Sequence, residues 1–193
     1  MALTVTAATG DDVAELARVA AETFPLACPP SVRPADIRAF IEENLSVHRF
    51  ATYLDDPDRR VFAARDGGHL VGYTMLVGGV GSDPAVGAVV RLRPAVELSK
   101  MYVLAGRHGT GAAAALMRSA LEWAADAGSA CVWLGVNRDN ERAQRFYRRF
   151  GFAVAGERMF RLGAGVESDF VMVRPSRPES RSPDAQPDQT GRD

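Results

Sequence analysis

Asn140 and Tyr147 stand seven residues apart in the stretch NERAQRFYRRFGF, residues 140–152. On a helix that spacing is two turns, so the two side chains fall within about 20° of one another. Ala143 lies between them on the same side and leaves room for a channel. A lone helical tyrosine is usually an interfacial core residue. Paired with an amide that faces the same channel, its phenol becomes a group that can hold a proton for a bound ligand. Upstream, His108, Gly109, Thr110, Gly111, Ala112 and Ala113 form a glycine-rich turn. Two glycines and small residues at a helix start let backbone N–H groups face an anion, and the helix end adds about half a positive charge. A pyrophosphate fits such a turn. The same residues match the loose dinucleotide pattern G-x-G-x-x-A at Gly109, Gly111 and Ala114. Against a dinucleotide site, no acidic residue stands about 20 positions on to hold a ribose, and the motif lies in mid-chain. A glycine turn that merely opens a helix remains the plain alternative for this segment alone.

These groups need elements to position them. Residues 96–104 read as a strand leading into the glycine turn. The helix after the turn buries Ala113, Leu116, Met117, Ala120, Trp123, Ala124 and Ala127 on one face and closes at Gly128. Residues 130–136 are an unbroken apolar run, expected for an interior parallel strand. Earlier in the chain, residues 2–7 alternate as a first strand. A helix opens at Asp11-Asp12 with Val13, Leu16, Val19, Ala20 and Phe24 in helical period. The four prolines in residues 25–34 should end it. A second helix from about Ala35 carries Ile37, Phe40, Ile41 and Leu45 on one side. Residues 60–65 and 69–77 are strands joined by the hairpin turn Asp66-Gly67-Gly68. Residues 78–93, rich in Gly and Val with Pro84, read as a loop. Residues 152–161 and 167–174 read as two final strands joined through Leu162-Gly163-Ala164-Gly165. The order β-α-α-β-β-β-α-β-α-β-β makes a mixed sheet flanked by helices, an α/β arrangement. Residues 1–174 read as one domain. Residues 175–193 are proline-rich and polar, and should be a disordered tail whose removal is silent.

Composition narrows the function classes. The 193 residues suit one core-bearing domain, with 47% hydrophobic and 24% charged residues. Net charge is -1, from 23 basic and 24 acidic residues, without the basic excess that nucleic-acid binding normally shows. No apolar run reaches the length of a membrane span, and no secretory leader is visible. Cys28 and Cys131 read as free thiols of a reducing, cytoplasmic compartment. The three histidines show no ligand spacing, so no metal is expected. Lys100 is the only lysine among 23 basic residues. A GC-rich genome explains that; the alternative is an acetylation target or a substrate anchor.

The pattern N-x-x-A-x-x-F-Y-x-x-x-G-F of residues 140–152 resembles the second conserved motif of the GNAT N-acetyltransferase superfamily. HGTGAA is similar to that family's Q/R-x-x-G-x-G/A pyrophosphate loop, with His108 in place of Gln or Arg. The segments ELSKMYV, WLGVN and MFRLGAGVESDFVMVRP are similar to the PaiA-type branch, which includes spermidine/spermine acetyltransferases. The resemblance covers residues 1–174 and is strongest over 97–152. It implies a mostly antiparallel sheet in which a splayed parallel strand pair holds acyl-CoA. It further implies an acetyl-CoA co-substrate and direct transfer to a primary amine of a small molecule, with a polyamine as one candidate. Pantetheine would pair with backbone at Met101 and Val103 and meet the Asn140 side chain. A backbone N–H near Tyr102 or Val103 would polarise the thioester carbonyl. Tyr147 would protonate the leaving thiolate. Glu97, which alternation places on one strand face with Ser99, Met101 and Val103, is the candidate base for the amine. The acceptor site would draw on residues 24–33, the start of the second helix and residues 162–168, with Glu42, Glu43, Glu97, Glu167 and Asp169 as available carboxylates. Two alternatives share the fold: a non-catalytic acyl-CoA-binding regulator and a protein or peptide N-acetyltransferase. A homodimer is compatible with all three.

Overall fold

The computed structural model describes residues 3–162 and 165–176. Among the described residues, seven strands form one sheet in the order β1-β2-β3-β4-β5-β7-β6. They are β1 Thr4–Ala7, β2 Arg59–Asp66, β3 His69–Gly78, β4 Ala95–Val103, β5 Cys131–Asn137, β6 Ala153–Leu162 and β7 Gly165–Pro175. Every neighbouring pair is antiparallel except β4 and β5, which are parallel. The helices are α1 Val13–Ala27, α2 Pro34–Asn44, α3 Val47–Asp55, α4 Pro84–Val89, α5 Ala112–Asp126 and α6 Glu141–Arg149. The tail beyond residue 176 and the turn at residues 163–164 lie outside the described residues.

The sheet is buried on both faces by period-two alternation. On one face, Leu16, Val19 and Ala20 of α1 and Phe50 of α3 pack on Val61, Ala63, Tyr73 and Met75. On the other, Met117, Ala120 and Ala124 of α5 pack on Leu76, Val96, Leu98, Val132 and Leu134. Strand β5 divides cleanly: Val132 and Leu134 face α5, while Cys131 and Trp133 pack with Val86 of α4.

Three local expectations are corrected. Helix α1 does not stop at Pro25 but runs to Ala27. Pro25 forfeits one intrahelical bond near the end of the helix, and the buried Thr23 and Phe24 hold that turn against the core. Residues 78–93 are not all loop: Pro84 opens α4, and the Asp83 carboxylate accepts the Ala85 N–H at 2.9 Å. An Asp-Pro pair is a helix start as readily as a turn, because Pro at the first position lacks a donor that would go unpaired anyway. Helix α3 was absent from the sequence order. Ser46 caps it by accepting the Arg49 N–H at 3.4 Å, and Phe50 anchors it.

Candidate active site

Strands β4 and β5 pair only over Ala95–Glu97 against Cys131–Trp133. Beyond that each keeps its outer neighbour: β4 stays on β3 as far as Val103, and β5 stays on β7 as far as Asn137. The two strands therefore open into a V. The register of β4 on β3 slips where the strands part. Leu76 pairs with Leu98 and Met75 with Lys100, so Ser99 is an extra residue with no partner. Such a bulge bends its strand and re-aims the side chains that follow.

That bulge overturns the shared face read for Glu97, Ser99, Met101 and Val103. Before it, Glu97 lies opposite Val77; after it, Lys100 lies opposite Met75 and Tyr102 opposite Tyr73. Val77, Met75 and Tyr73 all belong to the α1 and α3 face. Glu97, Lys100 and Tyr102 thus share that face. Leu98, Met101 and Val103 turn to the α5 face. Leu104 N–H donates to Val71 O across to β3. By alternation, the N–H and C=O groups of Met101 and Val103 point into the V.

Two cavities meet in the V. The larger, 760 Å³, runs from Met101 and Val103 past His108, Gly109, Gly111 and Ala113 to Asn140, Phe146 and Tyr147. Gly109 and Gly111 have φ of +82° and +91°, and a Cβ on either would stand in open space. Gly111 caps α5. The first N–H bonded back to it is that of Ala115, at 2.9 Å. The N–H groups of Ala112, Ala113 and Ala114 precede that first bond and need partners from outside the helix. Thr110 turns its hydroxyl back to Arg107 O at 2.8 Å. His108 is likewise turned inward, its Nε2 donating to Val103 O at 3.0 Å. The loop thus presents backbone rather than side chains to the cavity.

The smaller cavity, 360 Å³, lies on the α1 side and is lined by Phe24, Phe40, Glu97, Lys100, Arg158, Glu167 and Asp169 among others. Three of the five available carboxylates converge there. Glu42 and Glu43 are exposed and do not line it. Ala27, Met101, Tyr102, Asn140, Ala143 and Tyr147 line both cavities, so the two spaces join at the Asn140–Tyr147 pair.

The Tyr147 ring is held edge-on by Phe146 and Phe152, at 5.6 and 6.0 Å. Burial pushes its phenol up to about 12, so it keeps its proton at neutral pH. Burial also pushes the Glu97 carboxyl above the ordinary range, opposed by the positive charges of Arg158, Lys100 and Arg59. A carboxyl moved towards neutrality is a better general base than an exposed one. Asn140 also caps α6, where its Oδ1 accepts the Ala143 N–H at 3.0 Å. Asn140→Ala should cost about 1 kcal/mol and lower Tm by about 2–4 °C, whereas Asn140→Ser should retain the cap. Thermal melts check this; equal Tm for all three proteins would remove the capping role.

Sequence reasoning passed over Arg158, read Phe40 only as part of the apolar side of the second helix, and assigned Lys100 no settled role. Phe40 stacks on Phe24 with centroids 4.5 Å apart. Arg158 reaches from β6 over β7, past Asp169 at 3.5 Å, as far as β5. It crosses at Gly135, where a Cβ would meet its Cζ at 2.6 Å. A glycine inside an apolar strand is the signal that marks such a close approach.

Residues 20–152 match the sequence model of the Acetyltransferase (GNAT) family. The chain belongs to this family. Over 163 residues it is 56% identical to an uncharacterized N-acetyltransferase of Mycobacterium tuberculosis (strain ATCC 25618 / H37Rv), covering 84% of this chain and 97% of the relative. The GNAT chain is therefore an acyltransferase. Its fold is similar to that of a PaiA N-acetyltransferase from Thermoplasma acidophilum in complex with coenzyme A. The TM-score is 0.72 at 19% identity, over 91% of this chain and 99% of the other. It is also similar to the ribosomal-protein-S18-alanine N-acetyltransferase from Escherichia coli, with TM-score 0.65 at 16% identity over 93% and 97%. Those two likenesses concern the fold: the mostly antiparallel sheet with one parallel pair expected from the sequence.

Proposed function

We propose that this GNAT protein transfers an acetyl group from acetyl-CoA to the primary amine of a small molecule, by direct attack, in the cytoplasm. The observation that carries the reading is the junction of the two cavities at Tyr147, with the glycine turn at one end and Glu97 at the other. The N–H groups of Gly109, Gly111, Ala112 and Ala113 would hold the pyrophosphate. Met101 and Val103 would pair with pantetheine. The Val103 carbonyl is already engaged by His108, so its N–H is the free partner. Asn140 would add its amide NH₂ group, whose oxygen is committed to the cap. Acetyl-CoA supplies the activated acyl group, and the chain supplies the rest. Glu97 takes the proton of the incoming ammonium, so that nitrogen can bond to the acyl carbon. A backbone N–H near Tyr102 or Val103 receives the charge on the carbonyl oxygen. Tyr147 would give its proton to the sulfur as the carbon–sulfur bond breaks, and the acylated nitrogen would return its second proton to the phenolate.

The larger cavity predicts a ligand-binding result independent of turnover. CoA at about 100 times its Kd should stabilise the chain by about 2.7 kcal/mol, and NAD should not. The double variant Gly109→Val, Gly111→Val should lose the shift, because branched side chains would fill the open cradle and L residues resist positive φ. Differential scanning fluorimetry with each ligand decides it. Equal stabilisation by NAD, or an unchanged CoA shift in the double variant, would remove the assignment of the loop.

A further inference from the structure

The smaller cavity holds cations as well as carboxylates: Lys100 and Arg158 line it with Glu97, Glu167 and Asp169. Glu97 and Lys100 line it together, on either side of the Ser99 bulge, which turns Lys100 to the α1 face that Glu97 already holds. Neither side chain makes a hydrogen bond or an ion pair among the described residues, with each other or with anything else. Of the other cavity charges, Asp169 and Arg158 form an ion pair, whereas Glu167 meets only a neutral hydroxyl. Asp169 lies 3.5 Å from Arg158, and Glu167 accepts the Ser31 hydroxyl at 3.3 Å. Lys100 Nζ rests 5.7 Å from the centroid of the Tyr53 ring, which also carries the Arg59 guanidinium at 4.7 Å. The cavity thus presents the Lys100 ammonium, without an ion pair among the described residues, beside the carboxylate of Glu97. An unmatched charge withdrawn from water is costly unless a ligand completes it.

We propose that the acceptor is a small amine that also bears a carboxylate, an amino-acid-like zwitterion whose amine faces Glu97 and whose carboxylate is held by Lys100. The proposal rests on the acyl-transfer reading above and adds the substrate class. Burial lowers the Lys100 ammonium to about 8, against the pull of Glu97, so the group is still a cation at neutral pH. A polyamine would bring its second ammonium towards Lys100 and Arg59, whose positive charges share the Tyr53 ring and repel it. That juxtaposition rejects it. Lys100 is a specificity-determining residue in this scheme, remote from the bonds that change.

The test uses the full chain, acetyl-CoA and thiol release. The acceptors are a panel of amino acids, each with its carboxamide and its decarboxylated amine, and spermidine. The carboxylate member of the cognate set should have kcat/KM at least about tenfold above its amide and amine, through KM, and Lys100→Met should level the three to within about twofold. Lys100→Arg, which keeps the charge, should retain the preference. The stabilisation by CoA should be the same in all three proteins, a control that a collapsed variant would fail. Preference for spermidine or for the carboxylate-free amines in the wild type overturns the proposal, and so does a preference that survives Lys100→Met. CoA stabilisation without turnover of any carboxylate-bearing acceptor overturns the substrate class and leaves acyl transfer standing. Absence of CoA stabilisation overturns the acyl-transfer reading itself.

Discussion

Tyr147→Phe is expected to lower kcat by roughly 100- to 10,000-fold, the range of general acid catalysis, while CoA affinity stays within about threefold. The substitution keeps the ring and its edge-on contacts with Phe146 and Phe152. It removes a hydroxyl that bonds to no other described residue, so folding loses little. What it takes away is a proton held at the junction of the two cavities by a phenol that burial pushes up to about 12. The loss should shrink for acyl donors whose leaving thiol is more acidic, because their sulfur departs with less need of a proton. Stopped-flow or steady-state thiol release with a cognate amine, under conditions where chemistry limits the rate, measures the effect. Wild-type kcat in Tyr147→Phe would return Tyr147 to a residue that only lines the pocket.

The part of this site that was legible in the sequence is the part built from short-range spacing. Asn140 and Tyr147 line the same space because helical geometry over seven residues leaves them little alternative. Gly109 and Gly111 stand in a turn at the start of α5, as small residues ahead of a helical apolar face suggested, and there they adopt positive φ. The buried parallel strand after that helix was readable from an unbroken apolar run. What escaped depends on register or on long-range reach. The bulge at Ser99 has no glycine to announce it, and one unpartnered residue reverses the face of every side chain after it. Alternation alone therefore grouped Glu97 with Met101, whereas pairing with β3 groups it with Lys100 and Tyr102. The acceptor cavity is made by residues as distant as Phe24, Glu97 and Arg158, whose convergence follows from strand order rather than from any local pattern. Helix α4 was hidden for a different reason. Its glycine content and Pro84 are shared with loops, and the deciding fact is the tertiary burial of Val86 and Val90.

Glu97→Gln should be nearly as damaging at neutral pH, again roughly 100- to 10,000-fold in kcat/KM, but its loss should depend on pH where that of Tyr147→Phe does not. The sign follows from the direction of the shift. Burial raises the Glu97 carboxyl, and Arg158, Lys100 and Arg59 oppose the rise without cancelling it. The base is therefore present above this raised value and is lost as pH falls through it. Wild-type kcat with a bound acceptor should show an ascending limb displaced above the ordinary glutamate range. In Glu97→Gln that limb should vanish and be replaced by a shallower rise at higher pH, where more of the acceptor amine is already neutral and needs no base. Removing the carboxylate also removes the attraction that holds the Lys100 ammonium up, so its lowering should deepen. The variant should then bind a carboxylate-bearing acceptor less well as pH rises towards the lowered Lys100 value. A pH series of kcat and KM for both proteins separates the two effects, because the base acts on kcat and the anchor on KM. An unchanged ascending limb in Glu97→Gln would show that another group takes the proton, and Glu97 would then be only a fixed negative charge beside the amine.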